Sequence, residues 1–179
     1  MRSKLATISL LCFVSSAALA GVDNPFKAAK AGDWVEYKMT GPNIEGKTKM
    51  IIVAADDKEV TYEVTSSFAF MGKEMTGPVQ TLKVDLTKDY DAVSAANLKR
   101  TGTKTEKTGE GTEKIKIAGK EYDTKWKKLK STTTTNGVTV VSEFKMWFAK
   151  DVPLSGLVKM ETATAGTSTN MELTGSGRK

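Results

Sequence analysis

Asp85, Asp89 and Asp91 gather at the end of a predicted strand, and three carboxylates so close in sequence suit a calcium ion. Their spacing lacks the central glycine of an EF-hand loop, and helix-start and turn roles account for the same residues. Asp56-Asp57 reads as hairpin-turn chemistry. A glycosidase needs two carboxylates facing each other about 5–10 Å apart, a distance that sequence spacing does not set. Met71 and Met75 flank Gly72, and thioether sulfur is a Cu(I) ligand. Such sites usually add a histidine, and methionine also fills irregular cores or lines a greasy pocket. Lys125, Lys127, Lys128 and Lys130 surround Trp126. That cluster suits an anionic lipid surface and equally the solvated side of a half-buried strand, with Trp126 turned inward.

The missing residue types exclude more than the present ones suggest. The 179 residues include no histidine and one cysteine, Cys12. A Ser-His-Asp triad, a Cys-His pair and histidine metal sites are therefore excluded. If Cys12 is removed with an export signal, thiol nucleophiles, zinc-thiolate sites, iron–sulfur clusters and disulfides go with it. Gly109-Glu110-Gly111 lies in a polar stretch with no strand before it and no helix after it, so it is no phosphate loop. No catalytic residue, metal or cofactor is expected. The formal charge is +6, with acidic and basic residues interleaved along most of the chain. This is a mixed surface rather than a nucleic-acid-binding face.

The elements that would position any site begin with an export signal. Arg2 and Lys4 precede an apolar run over 5–14, and Ala18-Leu19-Ala20 matches a signal peptidase site with cleavage before Gly21. The run is too short to span a bilayer, so no transmembrane segment is expected after cleavage. Residues 21–179 are expected to form a single β domain in the periplasm or outside the cell. Period-2 alternation of Val, Ile, Thr and aromatic residues dominates that span. It predicts strands over 33–40, 47–54 and 59–67, a hairpin around Gly72-Lys73, and a further strand from Pro78. Residues 26–31 read as a short helical turn and 89–98 as the best helix. The Thr-, Lys- and Gly-rich stretch 99–111 has no large apolar residue and reads as a solvated loop or hairpin tip. Strands follow over 113–118, 120–132, 138–149, 157–162 and 168–174. Asn136-Gly137 is the strongest hairpin signal, because both residues tolerate the positive φ of a type I′ turn. The expected fold is all-β with minor helix: an antiparallel meander of nine to eleven strands, curved into an open sheet, half-barrel or barrel.

Gly32-Asp33-Trp34-Val35-Glu36-Tyr37 and the stretch Trp147-Phe-Ala-Lys-Asp-Val-Pro-Leu-Ser-Gly-Leu-Val-Lys-Met-Glu161 resemble paired segments of a family of exported bacterial β-proteins. No activity comes with that likeness. More coarsely, the pattern is similar to periplasmic lipoprotein carriers of the LolA/LolB type. That resemblance implies a curved sheet whose concavity binds an apolar ligand: a lipid, an acyl chain or a lipoprotein. The expected lining is drawn from the residues read as inward: Trp34, Tyr37, Phe68, Phe70, Trp126, Phe144, Met146 and Trp147. The alternative is a structural or assembly protein of the cell envelope that meets a protein partner through sheet edges or the 99–111 stretch.

Overall fold

The computed structural model describes residues 24–178 apart from 43, 71–72, 89–102 and 136. The predicted export signal and the helix predicted over 89–98 lie outside the described residues. Ten strands follow a 3-10 turn at Pro25–Ala28. They are β1 (Trp34–Gly41), β2 (Ile44–Ala55), β3 (Glu59–Phe70), β4 (Lys73–Thr76), β5 (Gln80–Asp85), β6 (Thr103–Ile117), β7 (Lys120–Thr135), β8 (Val138–Phe148), β9 (Leu157–Thr164) and β10 (Thr167–Gly177).

All ten belong to one antiparallel sheet in the order β4-β3-β2-β1-β10-β9-β8-β7-β6, with β5 beside β4 on β3. Every neighbour is a sequence neighbour except at two places, β5 on β3 and the seam where β1 meets β10. Among the described residues no ladder joins β6 to β4 or β5, and the sheet is open. It is strongly curved. Three strands separate β10 from β6, which would put them roughly 19 Å apart in a flat sheet. Backbone atoms of the two instead come within 8 Å. Register shifts in the ladders β1–β10, β8–β9 and β6–β7 lie in this curled half, where each extra residue adds local twist.

Cross-strand pairs define an inner face. Val35 opposes Met50, which opposes Val64; Met39 opposes Met171, which opposes Met160, which opposes Met146. These side chains share one side because residues directly opposite in a ladder point the same way. Val35, Tyr37, Met50, Ile52, Val60 and Val158 are among the most deeply buried. The 3-10 turn adds Phe26, stacked on Tyr62 at 5.6 Å between ring centroids. Asn24 caps that turn by accepting from the Phe26 amide at 3.1 Å. Core methionines are thus packing residues, while Met75 lies exposed on β4 and Met71 lies outside the described residues.

One sequence expectation fails here. Residues 103–111, read as part of a solvated loop or hairpin tip, form the first part of β6. Periodicity missed the strand because its alternating positions hold Thr and Gly rather than large apolar residues. Cross-strand hydroxyl pairs, Thr103 with Thr133 and Thr105 with Ser131, hold one side. A tryptophan from β7 covers the other.

Candidate functional site

A cleft of about 1160 Å³ opens where the β6–β7 turn, the loop 149–156 and the 3-10 turn meet. Its apolar floor includes Tyr122, Phe148, Val152 and Leu154, with Pro25 and Ala28 along one wall. The loop owes its shape to two residues with positive φ. Gly156 (φ 73°) is suited to it by lacking a side chain, and a Cβ there would come within 2.9 Å of the Ala149 carbonyl. Leu154 adopts φ 62° despite its Cβ, a conformation that costs roughly 1–2 kcal/mol and is offset by burying its side chain. The Ala149 amide donates to the Gly156 carbonyl at 2.8 Å and closes the loop. Tyr37 buttresses it from the sheet: its hydroxyl donates to the Leu157 carbonyl at 3.1 Å. Burial pushes the Tyr37 phenol well above its ordinary pKa, with a hydrogen bond to Ser155 opposing, so it stays a neutral donor.

The charged rim is divided. Its acids are all engaged: Lys145 binds Glu113 at 2.8 Å, Lys114 lies 3.1 Å from Glu121 and 3.6 Å from Asp123, and Lys120 reaches Asp151 at 2.7 Å. Glu113 also accepts from the Trp147 indole. Lys145, and then the indole, hold its carboxyl below the ordinary glutamate range. A second hollow of about 900 Å³ crosses the curled half near Thr108, Leu129, Phe144, Thr162 and Thr169, and is more polar.

None of the eight residues expected to line a site lines the larger cleft. Tyr37 and Met146 are buried in the core, Tyr37 directly beneath the loop. Phe144 borders the second hollow. Phe68 is half-buried opposite Met75, and the Phe70 side chain lies outside the described residues. Trp34, Trp126 and Trp147 require correction: they project from the outer face. Each has a core residue as its immediate neighbour in a strand, and successive side chains point to opposite sides. Trp34 precedes Val35 and Trp147 follows Met146, both on the inner face. Trp126 precedes Lys127, whose side chain goes inward and is only 7% exposed, the reverse of the expected arrangement. Burial there lowers the Lys127 ammonium pKa, with Glu110 opposing.

The tryptophans form their own outer layer. Trp34 lies over Gly175 and Gly177 of β10; Trp126 lies over Gly109 and Gly111 of β6. Lys49 sits 5.2 Å from the Trp34 ring, and Lys145 bridges Trp126 and Trp147 at 4.9 and 4.3 Å. The Gly-x-Gly dyads are the sequence signal that could have found these sites, and the proline turn at 151–156 the one that could have found the cleft.

The Asp85 carboxylate is satisfied by its own neighbours. Lys88 lies 2.8 Å from Asp85, and the Thr87 hydroxyl and amide donate to it at 2.6 and 2.9 Å. Together they bring its pKa down to about 2. Asp89 and Asp91 lie outside the described residues. Among the described residues, no three His, Cys, Asp or Glu side chains are grouped to hold a metal ion, and no helix is long and apolar enough to cross a membrane.

No family model matches the chain, and no curated protein matches it, so the segments 32–37 and 147–161 carry no family assignment. Among solved structures, the chain is similar to a Bacteroides fragilis protein described as exported and as having a YmcC-like fold. The TM-score is 0.50 at 10% sequence identity, covering 86% of this chain and 99% of that one. At that identity the likeness is one of fold.

Proposed function

We propose that this is an exported, non-catalytic binding protein for an apolar ligand such as a lipid or acyl chain, including that of a lipoprotein, held in the cleft beside the loop 149–156. The observation that carries the reading is the floor of Tyr122, Phe148, Val152 and Leu154, where residues of the core and one packed against it line an open cleft. At about 1160 Å³ the cleft is slightly larger than ordinary small-molecule sites. The export signal read over 1–20 and the exported fold neighbour agree with this setting. The resemblance of the strand–proline turn–strand to LolA/LolB-type carriers points the same way.

The test is native mass spectrometry of the protein, expressed with its own leader and purified gently from the periplasm, with organic extraction of bound material. A stoichiometric lipid mass that disappears in Ala28→Trp, which fills the cleft from an exposed position, supports the reading. A clean apo mass, with no uptake of a fluorescent fatty acid, overturns it.

The second reading, an envelope assembly protein, draws on one feature. Val138, Val140 and Val141 lie exposed at the β7–β8 tip, Val138 at 64%. The free edge β6 argues against pairing by strand addition, because Lys104, Glu106, Lys107 and a bulge interrupt it.

A further inference from the structure

We infer that the ligand of this cleft is an amphiphile, an acyl chain carrying an anionic head, and that Lys125 and Lys150 receive the head. The inference rests on the binding reading above and names the chemistry of what is bound.

The argument comes from which rim charges are already committed. Four acidic side chains line the cleft: Glu113, Glu121, Asp123 and Asp151. Each has a lysine partner within 4 Å. The cations divide differently. Lys114 is shared between two of those acids. Lys125 and Lys150 line the same cleft, are exposed, and have no acidic partner among the described residues. Arg178 also lines it, half-exposed, and is ion-paired with the buried Asp33 at 3.9 Å, so the free charge at the mouth is that of the two lysines. The mouth therefore presents uncommitted positive charge above an apolar floor, while its negative charge is neutralised locally. An uncharged chain would leave that charge unused. A carboxylate or phosphate head would gain charge-assisted hydrogen bonds from flexible ammonium groups while its chain lies on Val152 and Leu154.

The discriminating experiment displaces a fluorescent acyl probe from the full mature protein with three competitors: dodecyl phosphate, uncharged monododecanoyl glycerol and inorganic phosphate. Dodecyl phosphate is expected to bind about tenfold more tightly than the glyceride, and inorganic phosphate not to compete. In Lys125→Ala/Lys150→Ala the preference should fall to about threefold or less, through weaker binding of dodecyl phosphate. Both substitutions are at exposed positions, and circular dichroism checks that the fold is retained. Equal binding of the two amphiphiles overturns the anionic-head inference and leaves the apolar site standing. Competition by inorganic phosphate as strong as by dodecyl phosphate also overturns it, by removing the chain from recognition. If neither amphiphile displaces the probe, or the probe does not bind, the site reading itself fails.

Discussion

Trp34 and Trp126 solve the same local problem in two different places. Each lies across two glycines spaced i, i+2 on the neighbouring strand, where a glycine would otherwise weaken the ladder. Trp34 does so at the β1–β10 seam, in the middle of the sheet, with Lys49 near its ring. Trp126 does so over the free edge strand β6, with Trp147 directly opposite it on β8 and Lys145 and Lys128 nearby. At the seam the ring covers a junction with paired strands on both sides, so there is little room to yield. At the edge, β6 is held on one side only and can bend. The difference teaches that a glycine dyad in a strand marks a docking place for a neighbour's aromatic ring, and that its energetic weight depends on what surrounds it.

The comparison is easiest to break at the seam. Gly177→Val would drive a side chain into the Trp34 indole and is expected to cost about 3 kcal/mol in urea unfolding. Gly111→Val meets Trp126 at 2.8 Å, but on an edge strand; about 2 kcal/mol is expected from the same measurement. Equal losses, or a larger loss at Gly111, would remove the distinction between centre and edge. Gly109→Ala meets only the ring edge at 3.3 Å and should cost less than about 1 kcal/mol. Acidification gives the smallest effect. The Glu113 carboxyl is depressed in the fold, so its clamp on Lys145 and Trp147 contributes fully above the ordinary glutamate pKa. That contribution fades as pH falls through the lower folded value. A small change in tryptophan emission over that acidic range is expected, absent in Glu113→Gln; an identical change in the variant would assign it elsewhere.

Much of the fold was legible because apolar alternation announces half-buried strands. β1, β3 and β8 follow it closely, and the Asn136-Gly137 signal is matched by a two-residue connection from Thr135 to Val138. The first part of β6, 103–111, was illegible because half of its cover comes from Trp126, on another strand, which no local window can see. The tryptophans were misassigned because size and hydrophobicity were read as inwardness, against the parity set by Val35, Met146 and Leu129. The cleft depended on the backbone path of 149–156. Sequence marked it as a proline turn, but its position beside the β6–β7 turn is a tertiary fact.

The β1–β10 seam also orders events in time. It pairs residues nearly the whole domain apart, as in the Thr174–Glu36 contact, a sequence separation of 138. All other ladders join near neighbours along the chain, so two hairpin stacks can form independently and the seam must zip last. A chain synthesised from its N-terminus cannot complete the sheet until its final strand has emerged. Joining residue 178 to residue 24 and opening the chain between β5 and β6 would turn the molecule into an almost uninterrupted meander of low contact order. Such a permutant is expected to refold faster than the natural chain in stopped-flow experiments, with its unfolding rate little changed.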